Sequence, residues 1–121
     1  MTMISRSIIL AIVILLMISP TYAATPFRSV EDLYRMCETP ITSPEHAVCL
    51  GYISAVGDLL QSLSAHERLH AEVEPLEMCG SPTYGALVEA FVGWSKENPR
   101  QRASHRMEGV MQALMEHWPC K

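Results

Sequence analysis

Apolar residues fall along this chain in two patterns, one continuous and one periodic. Ile8 to Ile18 reads IILAIVILLMI without a polar interruption. Beyond Ser29 the apolar positions recur every three or four residues instead, as the buried stripe of an amphipathic helix requires. Val30, Leu33, Tyr34 and Cys37 make the first stripe, and Ser29 with Asp32 three positions later forms an approximate capping box at its start. A helix over 30–38 is expected. Thr39 to Thr42 break it, and Ser43-Pro44-Glu45 opens a second helix, because proline suits the first helical position and a carboxylate suits the positive end of the helix dipole. Cys49, Ile53, Val56, Leu60 and Leu63 share one face of this helix, which should reach about Ser64. Gly51 and Gly57 lie inside it. Each costs on the order of 1 kcal/mol against alanine, so both are expected to admit close approach of another backbone.

Ala65 to Met78 carries no clear period, and Pro75 argues for a break near it. Gly80, Ser81 and Pro82 read as a turn and Thr83 as the cap of a third helix over 84–97, with Leu87, Val88, Phe91 and Trp94 facing inward. Asn98 and Pro99 end it. A fourth helix over 101–117 should bury Ala103, Met107, Val110, Met111 and Leu114 before Pro119 stops it. No run alternates with strand period. The expected fold class is all-α, a small four-helix domain built from two helical hairpins.

The unbroken apolar run has a different meaning. It is shorter than the roughly 20 residues needed to span a bilayer, and it lies between Arg6 and the sequence Pro20-Thr21-Tyr22-Ala23. This is the layout of a secretory signal peptide cleaved after Ala23. Residues 24–121 would then form a single domain, with Ala24 to Phe27 as an untethered start and no further membrane segment. The full chain is 49% hydrophobic, and losing the leader brings the remainder to a composition ordinary for a soluble domain. Losing Arg6 also makes the formal charge of −4 one unit more negative. Such a balance excludes the basic footprint of nucleic-acid binding. The first cysteine is Cys37, so nothing at the cleavage point could carry a lipid.

A domain this small in an oxidising compartment often needs covalent help. Cys37, Cys49, Cys79 and Cys120 allow three pairings on spacing alone. Topology narrows them. The third and fourth helices are joined by a few residues and must fold back antiparallel, which brings Cys79 beside Cys120; Cys37 and Cys49 occupy the equivalent hairpin of the first two helices. Bridges Cys37–Cys49 and Cys79–Cys120 are therefore expected. No C-x-x-C spacing supports zinc or redox chemistry instead.

His66 to His70 spell HERLH, a formal match to the H-E-x-x-H pattern in which two histidines bind zinc and the glutamate activates water. His66 and His70 would be ligands, Glu67 the base, and Glu74 or Glu77 a third ligand. A protease also needs a substrate cleft, for which a short helical chain leaves little room. The competing reading is an exposed acidic connection in which Glu67, Glu72, Glu74 and Glu77 face only Arg68. On that reading no catalytic residue, metal or cofactor is expected. His46, His105 and His117 read as surface or helix-end residues, and Met107, Met111 and Met115 as core or subunit interface.

The order of features resembles the Rap/Tai family of periplasmic immunity proteins, which protect bacteria from peptidoglycan amidases delivered by type VI secretion. The matching residues are YRMC at Tyr34 to Cys37, CLGYISAVGDLL at Cys49 to Leu60, CGSP at Cys79 to Pro82, Trp94 to Pro99, and WPC at Trp118 to Cys120. The resemblance implies a helical, disulfide-containing, non-catalytic protein that binds a secreted amidase effector and often forms a homodimer. It carries Gly51, Tyr52, Gly57, Asp58, Trp118 and Pro119 over as a signature with a structural role. His66, Glu67, His70, Glu72 and Glu74 form a candidate partner-binding loop whose charge could pair with a catalytic imidazolium. A small periplasmic chaperone of acid stress, or another envelope helper, is the alternative from a different class, since five histidines give large charge changes below neutral pH.

Overall fold

The computed structural model describes residues 27–65 and 76–120. Residues 1–26, 66–75 and 121, with the expected leader and the candidate loop, lie outside the described residues. Among those described, the helices are α1 (Val30–Cys37), α2 (Pro44–Ala65), α3 (Tyr84–Glu97) and α4 (Arg106–His117), with a 3₁₀ turn over Pro99–Ala103 between the last two.

Side-chain chemistry sets the helix starts. Ser29 accepts from the Asp32 backbone N–H while the Asp32 carboxylate accepts from the N–H of Ser29, so the capping box closes in both directions. Ser43 accepts from the His46 N–H at 3.1 Å, and Thr83 from the Ala86 N–H at 3.2 Å. The Asp32 carboxyl is held below its ordinary value of 3.8, first by the Ser29 backbone N–H, then by the Ser29 hydroxyl and the Arg28 N–H. A depressed carboxylate contributes stability above its unfolded value and loses it as pH falls through the folded one. Urea titrations should therefore show the advantage of the native protein over Asp32→Asn constant above about pH 5 and shrinking below about pH 4. A gap that stays constant down to acid would exclude the charge as its source.

The core is the set of stripes brought together. Val30, Leu33, Ile53, Leu60, Phe91, Val110 and Leu114 are all fully buried, and α3 packs against α1, α2 and α4. Gly57 is closely packed as expected, but by a side chain rather than another backbone: a Cβ there would stand 2.6 Å from Leu87 Cδ1. Gly51 is not. It is exposed with nothing within 4 Å of its missing Cβ, since it lies across the helix from the Cys49, Ile53, Val56 and Leu60 stripe.

Two further expectations are corrected. The fourth helix begins at Arg106 rather than near Gln101, and Ala103 is exposed. The chain around His105 is committed elsewhere: the Val30 N–H donates to the Ser104 carbonyl at 2.9 Å and the Arg106 N–H to that of Arg28 at 3.0 Å, a short antiparallel bridge that helical backbone could not make. Nor is Phe27 untethered. Its ring meets Tyr52 edge-on at 5.5 Å, and the Arg106 guanidinium lies 4.4 Å from its centroid and donates to its carbonyl.

Gly109 is a second tight place, where a Cβ would overlap Val30 Cγ2 and approach Trp94 Cζ3 at 3.4 Å. The methyl of a fully buried β-branched residue cannot swing aside. Gly109→Ala should cost about 2 kcal/mol despite the better helix propensity of alanine, and a thermal melt no lower than the native one would overturn this account.

Candidate functional site

Cys37 is bonded to Cys49 and Cys79 to Cys120, so each helical hairpin is stapled at one end. No described cysteine is free for nucleophilic or metal chemistry. No group of three or more His, Cys, Asp or Glu able to hold a metal occurs among the described residues. His46 lies in the first turn of α2 with Nδ1 3.1 Å from the Thr39 carbonyl, His105 caps α4 by accepting from the Met107 N–H, and exposed His117 ends α4. They sit on α2 and at the opposite ends of α4.

The candidate loop residues His66, Glu67, His70, Glu72 and Glu74 lie outside the described residues, but both ends of their segment are fixed. The Ser64 hydroxyl, near the end of α2, accepts from the Met78 N–H at 3.2 Å and lies 2.8 Å from the Leu60 carbonyl as donor. Gln61 donates to the Gly80 carbonyl at 3.3 Å, and the Cys79 N–H donates to the Trp118 carbonyl at 2.9 Å. Gly80 takes a φ of +103°, the left-handed region that favours glycine, with Trp118 Cδ1 3.5 Å from where a Cβ would stand. Together with Cys79–Cys120 these contacts form a base that ties the end of α2 to the chain at Met78–Gly80 and Trp118. Periodicity cannot reveal such a base, because Ser64 and Met78 are bonded across 14 positions.

The signature residues divide by environment. Gly57 serves packing. Tyr52 is half-buried under the Arg106 guanidinium, 5.1 Å from its ring centroid. Exposed Asp58 lies 3.5 Å from the hydroxyl of Tyr84, the first residue of α3. Trp118 is half-buried beside the disulfide, and Pro119 is exposed.

Three surfaces remain. α2 carries exposed apolar side chains at Val48 and Leu59, with Gly51 and Ala55 between them on the same side. It is long and apolar enough to cross a membrane by composition, yet only 28% of that window is buried, so its apolar content exceeds what the core uses. Met107, Met111 and Met115 are half-buried and line a shallow groove with Leu76. The third surface is an open groove between α3 and α4, with the Glu89, Glu97 and Glu116 carboxylates around small residues.

Capped, stapled helices around one core, with acidic and apolar features left on the outside, define a small disulfide-bonded helical domain. The family model for Rap1a immunity proteins matches residues 29–120, and the chain belongs to that family. The match runs from the capping box of α1 to the last disulfide cysteine. No curated protein and no solved structure gives a match. Membership implies binding of a cognate effector, and with the two disulfides it suggests a location outside the cytoplasm.

Proposed function

We propose that this protein is a periplasmic immunity protein, exported by the leader at residues 1–23, which binds a peptidoglycan amidase delivered by type VI secretion and neutralises it without catalysis. The observation that carries the reading is the family match across the whole helical domain, 29–120. The acidic segment with His66, Glu67, His70, Glu72 and Glu74 supports it, because the chain on either side of that segment is fixed by the Ser64–Met78 hydrogen bond and the Cys79–Cys120 bridge. A fixed base lowers the ordering cost of inserting a charged segment into an active-site cleft. The test is binding to the amidase encoded beside this gene. Affinity should be nanomolar or better and fall at least about 100-fold when residues 66–74 are replaced by a short Gly-Ser linker, about 2.7 kcal/mol. Unchanged affinity would exclude the segment, and absence of binding by the native protein would exclude the amidase.

A homodimer is part of the same proposal, with the outer face of α2 meeting its copy. Val48 and Leu59 flank Gly51 and Ala55, so two such faces could approach closely and bury the apolar surface α2 leaves outside the core. Leu59→Glu places two carboxylates in that contact. Light scattering should show a dimer for the native protein and a folded, helical monomer for the variant, whose melting temperature no longer rises with concentration; a native monomer at 100 µM would refute the contact.

A further inference from the structure

Met107, Met111 and Met115 follow one another at intervals of four along α4, and with His105 and Leu76 they line a groove of about 560 Å³. Side chains four positions apart on a helix are neighbours, so each thioether stands beside the next. The helix buries Val110, Ala113 and Leu114 in the core, whereas the three methionines lie half-buried against its outside. Leucine would pack there equally well and has the same helix propensity. What methionine adds is a polarisable sulfur.

These sulfurs matter because the harder and stronger sulfur ligands are already used. Every described cysteine is in a disulfide, which leaves thioethers and imidazoles as the soft donors of the described residues. His105 brings one imidazole to the methionine row. Its Nδ1 accepts from the Met107 N–H at 3.3 Å, a long bond for a helix cap, and its Nε2 makes no hydrogen bond among the described residues.

We propose that Met107, Met111 and His105 bind a soft monovalent cation, Cu(I), in this groove. Thioethers select Cu(I) over hard divalent ions, and imidazole suits copper as well, so two sulfurs and one nitrogen make a three-coordinate site. All three donors are neutral, and the Glu108 carboxylate that lines the same groove offsets the charge of the ion. The ion enters and leaves as Cu(I), with no electron transfer. Only the cap changes: Nε2 offers its lone pair when the ring proton stands on Nδ1, and the Met107 N–H then loses its acceptor. The site needs no contact with an effector and so stands apart from the immunity reading.

The experiment is an NMR titration of the purified protein carrying ¹³C-methyl methionine and ¹⁵N, in chloride-free buffer. Silver nitrate supplies Ag(I) as a redox-inert probe, and Cu(I) is added anaerobically with ascorbate. Both ions should move the Met107 and Met111 methyls and the Met107 amide saturably, while the methyls of Met36 and Met78 stay in place. Zn(II) should leave the methionine methyls unmoved. Met107→Leu and Met111→Leu keep the volume and remove a donor. Each should weaken binding at least about tenfold, which is the cost of losing even an outer partner of a metal ligand. Each is first shown to melt as the native protein does, and His105→Asn, which preserves a capping side chain, replaces any that does not. Equal movement of all methionine methyls, a response to Ag(I) that Cu(I) does not reproduce, or undiminished binding by the variants would overturn the proposal. So would a larger loss in Met115→Leu than in Met107→Leu, because the ligand set would then be different.

Discussion

Replacing Cys79 and Cys120 together by alanine is expected to lower the melting temperature by roughly 20 °C. The bridge closes a sequence separation of 41 residues, for which the chain-entropy model gives about 4 kcal/mol, against about 3 kcal/mol for Cys37–Cys49 with its separation of 12. Each kcal/mol moves the melting point of a domain this size by about 4–8 °C. A domain near 100 residues has about 5–15 kcal/mol in all, so losing one bridge should leave a folded protein and losing both should bring many molecules to the unfolded state. The Cys79 variant should also loosen the base of the acidic segment, because the Cys79 N–H donates to Trp118 and the adjacent Met78 N–H to Ser64. Thermal melts of the native protein, the two double variants and the native protein with reductant make the check. A smaller shift for the longer loop than for the shorter one would overturn the entropic account.

These pairings could be read before any coordinates because each depends only on a short connection folding two helices back on each other. The same holds for Ser29, Ser43 and Thr83, whose capping needs residues no more than three positions away. What the sequence left hidden is contact between distant backbone segments. The bridge between the chain at Ser29 and at His105 has no periodic trace, yet it delays α4 and leaves Ala103 in solvent. Arg106 clasping Phe27 is equally silent, and so the start of the domain looked loose. Gly51 and Gly57 show the limit of composition: one residue type in one helix serves packing at one position and exposure at the other, depending on which side of the α2 stripe it occupies. For the site, charge and position of the acidic segment were legible, but the groove was not, because Glu97 and Glu116 come together only when α3 and α4 pair.

Phe91→Ala should be the most damaging single change outside the disulfides, at about 4 kcal/mol. Phe91 is fully buried in α3, and all four helices pack against one another around it, so truncation opens a cavity that no single helix can close by sliding. Phe91→Leu keeps most of the volume and should cost about 1.5 kcal/mol, whereas Leu59→Ala on the half-exposed outer face of α2 should stay within about 0.5 kcal/mol in the monomer. Urea titration separates the causes: the midpoint should fall with an unchanged slope, because the cavity acts on the native state. The disulfide acts on the unfolded ensemble instead, so Phe91→Ala and the Cys79/Cys120 pair should add, to about 8 kcal/mol, and the triple variant should be largely unfolded at room temperature. If it folds with a midpoint near that of either parent, the bridge and the core are not independent, and the staple stabilises the native packing of α3 directly.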